Sequence, residues 1–277
     1  MISTKTLLTN RYWLDQRVIP HLTREAWRAR DLATGRAVTV WRPGASPAAN
    51  VECFLAEVEE TVRIRHPAVA RILDFGVAEP DGVPFAVTEP ADGPSLAAIM
   101  QAGPLDPPWV LDIVRQVASA LSEVEGRGLR LAVNPWSLRL APGGAVQIGG
   151  FDLRQEADRR ADDPGESLYR LGLVAWACLS GESPTVGTWQ DKSLAGYVRQ
   201  PATPLPSLPD TVPPGIAMLA ADLTTAGSPA RRGGAAHVVA RCGELLATPM
   251  RTRQPGRSSG PGETSLLDTL DGELRCA

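Results

Sequence analysis

Arg65-His66-Pro67-Ala68-Val69-Ala70-Arg71-Ile72-Leu73-Asp74-Phe75-Gly76 is the stretch on which the fold turns, because the hydrophobic period changes across it. Upstream, Val51, Phe54, Leu55, Val58 and Val62 recur at helical spacing, and His66-Pro67 ends that helix. Downstream the chain reads as two strands, Val69–Phe75 and Val83–Thr88, joined by the turn Glu79-Pro80-Asp81-Gly82. Toward the N-terminus three more strands are expected: one opening at Tyr12-Trp13-Leu14, one alternating over Glu25–Arg30, and Ala37–Trp41. The last two are joined by Asp31-Leu32-Ala33-Thr34-Gly35-Arg36, with glycine where a positive φ is useful. Toward the C-terminus the pattern becomes helical. Val110, Ile113, Val114, Val117, Leu121 and Val124 form one apolar stripe, and Leu168–Leu179 is apolar nearly all round. Residues 182–214 read as loops around a short helix near Ser193–Gln200, before two closing helices, Pro214–Thr224 and Gly233–Ala247. A sheet-first small lobe followed by a larger helical lobe is an α+β arrangement.

Composition sets bounds on function. The chain has 277 residues, 43% of them hydrophobic, enough for one two-lobed domain or two small ones with a real core. A net charge of −3 argues against a nucleic-acid binder, which would carry a basic footprint. The four cysteines lie far apart and the three histidines have no acidic or cysteine partner at ligand spacing, so no disulfide framework and no metal are expected. Leu171–Leu179, the longest strongly apolar stretch, is about half of what a membrane span needs. Met1–Thr6 lacks the apolar core of a signal peptide, so the expected location is cytoplasmic. Nearly all positive charge is arginine; Lys5 and Lys192 are the two lysines.

Five segments, in order, resemble the eukaryotic-like Ser/Thr protein kinases of bacteria over residues 11–247. Phe54-Leu55-Ala56-Glu57 resembles the small-lobe helix with its glutamate, and residues 65–76 the loop and strand after it. Residues 86–96 resemble the hinge between lobes. Leu168–Gly172 with Leu179-Ser180-Gly181 resembles the buried helix of the large lobe, and Pro229-Ala230-Arg231-Arg232 the motif before the last helix. The resemblance implies a two-lobed protein-kinase-like fold, with residues 1–10 as an extension and 248–277 as a tail.

The resemblance fails at most positions that carry kinase chemistry, although Glu57 is kept. A phosphate-covering loop needs glycine, whose backbone can approach a phosphate closely, but Ile19-Pro20-His21-Leu22-Thr23-Arg24 has none. Trp41 stands where the strand lysine belongs, which leaves Glu57 without its usual partner. Arg130–Ser137 replaces His-Arg-Asp-x-Lys-Pro-x-Asn, so that the base becomes Ala132, the lysine Asn134 and a metal ligand Ser137. Gly150-Phe151-Asp152 stands in place of Asp-Phe-Gly, putting Gly150 at the magnesium ligand. No Asp or Glu occurs from Gly126 to Phe151, so a shifted alignment recovers no carboxylate. Asp152 is the one escape, two residues out of place; its plainer reading is a turn or cap residue. Leu153–Gly165 has no Ser or Thr to phosphorylate, and Ser167 replaces the acid that anchors the catalytic loop.

The expectation is therefore a pseudokinase: no catalytic residue, no metal, neither ATP nor Mg²⁺ as cofactor, and a degenerate cleft of Ile19, Leu22, Arg24, Trp41, Glu57, Thr88 and Asp152. It would act as a protein-binding regulatory scaffold, with an envelope-associated or phosphopeptide-reading protein as partner. The chain is similar to the pseudokinase modules found with peptidoglycan-precursor flippases. The alternatives are an atypical kinase using Asp152 and Arg24, and a switch that binds ATP without turnover. Arg251–Gly262 is Arg/Pro/Gly/Ser-rich and reads as disordered, while Leu266, Leu267, Leu270 and Leu274 near one helical face suggest a short docking helix.

Overall fold

The structure is a computed structural model that describes residues 6–20, 24–43, 51–90, 93–125, 131, 133–149, 165–182 and 205–248, with the backbone alone at 18–20, 24, 53 and 57. A six-stranded antiparallel sheet has the order β1-β2-β3-β4-β6-β5. Its strands are β1 (Thr6–Leu8), β2 (Tyr12–Pro20), β3 (Arg24–Asp31), β4 (Ala37–Pro43), β5 (Ile72–Ala78) and β6 (Val83–Thr88). Helix α1 (Val51–Thr61) is inserted between β4 and β5. Strand β1 lies within the segment read as an N-terminal extension, and pairs Leu7 with Trp13 of β2.

Side chains alternate across a strand, so this sheet has two distinct faces. One buries Tyr12, Leu14, Ala29, Val38, Val40, Phe85 and Val87. The other buries Ala26, Trp41 and Ala86 against Phe54 and Val58 of α1. The helix thus covers the face that carries Trp41. At the open end of the first face, Asp31 is buried and held by Arg11, whose Nε and second guanidinium nitrogen donate to its two oxygens at 2.8 and 2.9 Å. The hydroxyl of Thr34 and the amide of Ala33 also donate to Asp31, and Arg11 first, then these two donors, hold its carboxyl well below the usual carboxylate range against the opposing effect of burial. Arg11 also reaches Asp74 on β5, to which the Tyr12 hydroxyl donates.

The larger lobe is built on α3 (Pro107–Val124), packed against α4 (Glu166–Ser180) and α7 (Gly234–Ala247). Every residue of the expected stripe on α3 is buried, and α4 is buried on all sides from Leu171 to Leu179. Helix α5 (Pro214–Thr224) crosses α4 at Gly172, where a Cβ would stand 2.6 Å from Leu223 Cβ. The remaining elements are short: α2 (Leu96–Ile99), α6 (Pro229–Arg232), and a hairpin of β7 (Leu138–Leu140) and β8 (Val146–Ile148). Among the described residues no helix is long and apolar enough to cross a membrane.

Residues 65–76 tie the small lobe to β8, and here expectation and structure differ. The strand expected from Val69 begins at Ile72. Residues 68–70 turn away instead to pair with β8: Ile148 N donates to Ala68 O at 2.7 Å, and Ala70 N donates to Ile148 O at 3.4 Å. Helix α1 ends at Thr61, short of His66-Pro67. His66 is fixed from both sides: its Nδ1 accepts from Ala68 N at 3.1 Å, and its Nε2 lies 3.0 Å from Ser119 Oγ on α3. The short helix near Ser193–Gln200 and the tail beyond Thr248 lie outside the described residues.

Burial pushes the His66 imidazole below the usual histidine range, with Glu123 opposing the shift. A depressed histidine is neutral in the fold and protonates more readily in the unfolded chain, so stability falls as pH drops below about 6.5, the ordinary histidine value. Urea unfolding at pH 7.5 and 5.5 tests this: the midpoint should fall in the native chain, and fall less in His66→Gln. An equal fall in both proteins would assign the effect to other groups.

Candidate functional site

The cleft between the lobes is roofed by the sheet face carrying Trp41. In register, Ala26 of β3 pairs with Trp41 of β4, and Trp41 with Ala86 of β6. Two alanines thus flank the indole and leave room for it. Trp41 is 6% exposed, and its Nε1 donates to the Thr88 hydroxyl at 3.1 Å, which satisfies the one polar atom that burial would strand. Arg42, next along the strand, points to the opposite side from Trp41 by the same alternation. One step nearer the hinge, a second row, Arg28, Thr39 and Thr88, lies on the cleft face.

The floor is the loop before β7, and its polar groups are turned inward. Asn134 Oδ1 accepts from the amides of Trp136 and Ser137 at 3.0 and 2.9 Å. The Ser137 hydroxyl donates to Asn134 O at 3.0 Å and accepts from Asn134 N at 3.2 Å. Both side chains are buried, and these four bonds close the turn on itself. Pro135 O accepts from Ala97 N at the start of α2, at 2.8 Å, and Ser137 O from Gly149 N, also at 2.8 Å. An Asn and a Ser spaced three apart favour such a turn, because their short side chains reach nearby backbone. In sequence Asn134 reads as a lost lysine and Ser137 as a lost metal ligand, and that together they build a cap is not legible there.

From the floor, Arg139 on β7 reaches the hinge, donating to Gly93 O at 2.7 Å. Glu89 in the hinge pairs with Arg71 at 3.1 Å.

Of the expected site residues, the structure brings Trp41 and Thr88 into contact, and Ser137 is buried in its own turn. Ile19 and Arg24 are at the ends of β2 and β3, in register with Ala26 and Pro43, and Glu57 is on α1; their side chains are not among those described. Leu22, Ala132, Gly150, Phe151 and Asp152 lie outside the described residues. Among the described residues, no three His, Cys, Asp or Glu side chains gather as they would to hold a metal.

Comparison with solved structures decides the architecture. The kinase domain of PknI from Mycobacterium tuberculosis superposes with a TM-score of 0.70 over 90% of this chain and 100% of that domain, at 19% identity. The fold is that of a protein kinase. The sequence of this kinase-like domain is also related to mycobacterial Ser/Thr protein kinases. It is 27% identical over 289 residues to the Ser/Thr protein kinase PknA of M. tuberculosis, covering 91% of this chain and 66% of PknA. It is 25% identical over 235 residues to the Ser/Thr protein kinase PknB of Mycolicibacterium smegmatis, covering 73% of this chain and 38% of PknB. The kinase-like domain thus spans less than two thirds of either relative. No protein-family model matches it.

Proposed function

We propose that the chain is a pseudokinase, a catalytically inactive member of the Ser/Thr kinase family that keeps the fold as a protein-binding regulatory scaffold. The observation that carries this reading is Trp41. A buried indole hydrogen-bonded to Thr88 stands where a kinase presents a lysine ammonium to phosphates, and it offers them a single donor already in use. The inward-turned pair Asn134 and Ser137 supports the reading from the floor, and the residue types at Ala132 and Gly150 support it from sequence. Neither ATP nor Mg²⁺ is a cofactor on this reading. The partner is a protein, either envelope-associated or one that reads phosphopeptides, met in the cytoplasm during cell-wall signalling. The likeness to flippase-associated modules supports that setting.

The test is a thermal-shift titration with ATP, with and without Mg²⁺ or Mn²⁺, beside an autophosphorylation assay. A ligand at 100 times its Kd stabilises a fold by about 2.7 kcal/mol. The expected result is no saturable shift and phosphate incorporation at background. A saturable ATP shift without turnover would make the chain a nucleotide-binding switch. Incorporation abolished by Asp152→Asn would make it an atypical kinase.

A further inference from the structure

We propose that His66 is a proton-sensitive latch between the lobes: a proton taken up at Nδ1 displaces the Ala68 amide and releases the ladder by which residues 68–70 hold β8. The ring is the first link in a short chain of bonds. Its Nδ1 accepts from Ala68 N at 3.1 Å, and the carbonyl of the same Ala68 accepts from Ile148 N at 2.7 Å. Ala70 N completes the ladder on Ile148 O at 3.4 Å, and Val69 N donates back to His66 O at 3.0 Å. One residue beyond Ile148, Gly149 N donates to Ser137 O, so the chain of bonds runs on into the turn that floors the cleft.

Geometry fixes which form of the ring fits. A backbone N–H only donates, so Nδ1 must present a lone pair to Ala68, and the neutral ring then carries its hydrogen on Nε2, 3.0 Å from Ser119 Oγ. Imidazolium has a hydrogen on each nitrogen. The added one would point at the Ala68 N–H, and that bond is given up. The surroundings favour the neutral ring: burial lowers its affinity for a proton, and Glu123 opposes this. Glu123 lies on α3 one turn beyond Ser119, while Arg115, one turn before it, is held by Asp112 at 2.6 Å. Strand β8 brings Val146, Gln147 and Ile148, none of which titrates. On the ring's own loop Arg65 turns back to the carbonyls of Val62 and Ile64, Arg63 pairs with Glu60, and Arg71 pairs with Glu89.

With the latch open the ring stands in water and titrates near the ordinary histidine value of about 6.5; with it closed the ring stays neutral to lower pH. Opening therefore takes up a proton and becomes easier as pH falls through that value. Between pH 7.5 and 5.5 the opening equilibrium should rise up to about tenfold. The event is local. It frees one joint and the floor turn tied to it, and leaves the helices of the large lobe folded.

Amide hydrogen exchange on the full chain, corrected for intrinsic rates and followed at pH 7.5 and 5.5 in increasing sub-denaturing urea, tests the latch. Protection of Ala68, Ala70 and Ile148 should fall up to about tenfold at the lower pH. Their exchange should be nearly independent of urea, because a local opening exposes little surface, whereas amides in the middle of α3 should depend on it. His66→Gln keeps an oxygen able to accept from Ala68 N but does not titrate, so the fall should vanish. Should that variant fold poorly, the native chain decides alone: ring nitrogen chemical shifts should place the hydrogen on Nε2 at pH 7.5, and ladder protection should follow the titration of the ring. Protection that is constant with pH overturns the proposal, as does a fall that survives His66→Gln. A fall with the urea dependence of α3 would be global unfolding and overturns it too, and so does a ring hydrogen found on Nδ1 at pH 7.5. None of these outcomes touches the ATP and phosphorylation assays, which decide the pseudokinase reading separately.

Discussion

Trp41→Ala should lower the unfolding free energy by about 3–5 kcal/mol, the range for truncating a buried aromatic to alanine. The size follows from what surrounds the ring. Ala26 and Ala86 flank it in register and cannot expand to fill the space, while Phe54 and Val58 are fixed on α1. The cavity therefore persists instead of collapsing. Loss of the bond to Thr88 adds the cost of a buried hydroxyl left without its donor, typically 1–3 kcal/mol and included in that range. Urea unfolding followed by far-UV circular dichroism checks the value. Trp41→Phe keeps an aromatic ring in the space but loses the indole N–H together with part of the ring volume; a smaller loss, about 1–3 kcal/mol, is expected. A neutral Trp41→Ala that also gained ATP binding would show that the indole plugs a working pocket and does little for the core, which would favour the nucleotide switch.

The same residue shows where sequence reading succeeds and where it stops. That position 41 lies on a strand follows from the alternation over Ala37–Trp41, and that the strand is followed by a helix follows from the period of Val51, Phe54, Leu55 and Val58. Local periodicity of this kind also placed β6, and α5 to the residue, and put every apolar position of the α3 stripe in the core. It works because an amphipathic element states its own burial. The partner of Trp41 could not be found that way. Thr88 lies far along the chain, and their meeting depends on β6 inserting between β4 and β5. The Arg11, Asp31 and Asp74 cluster fails for the same reason, being assembled from the turn before β2, from β3 and from β5. Strand β7, three residues long, is too short for a period to be counted. In the catalytic loop, residue type was legible one position at a time. The turn that ties Asn134 to Ser137 was not, because a hydrogen-bonded cap and a lost ligand look alike in sequence.

Gly93→Ala should be comparably damaging, although it adds one methyl group at an exposed position. Gly93 has φ near +81°, where an L side chain is strained, and a Cβ built on it would lie 1.9 Å from Leu140 O and 2.8 Å from the carbonyl carbon. Both atoms are backbone, so no rotamer change relieves the overlap; the hinge and β7 must separate. Left-handed backbone costs a non-glycine residue about 1–2 kcal/mol, and forced overpacking about 1–3 kcal/mol more, for a combined expectation of roughly 2–5 kcal/mol. Gly35→Ala is the matched control. Its φ is +69° but nothing lies within 4 Å of the added Cβ, so it carries the backbone strain alone and should cost only about 1–2 kcal/mol. The difference between the two variants in urea unfolding isolates the close approach of hinge to floor. That approach also sets the bond from Arg139 to Gly93 O and the one from Leu140 N to Pro94 O, at 3.1 Å. Anything that pushes the strand away therefore loosens the lobes where they meet. If Gly93→Ala and Gly35→Ala cost the same, the hinge yields without resistance, and the floor of the cleft is not held to it by this contact.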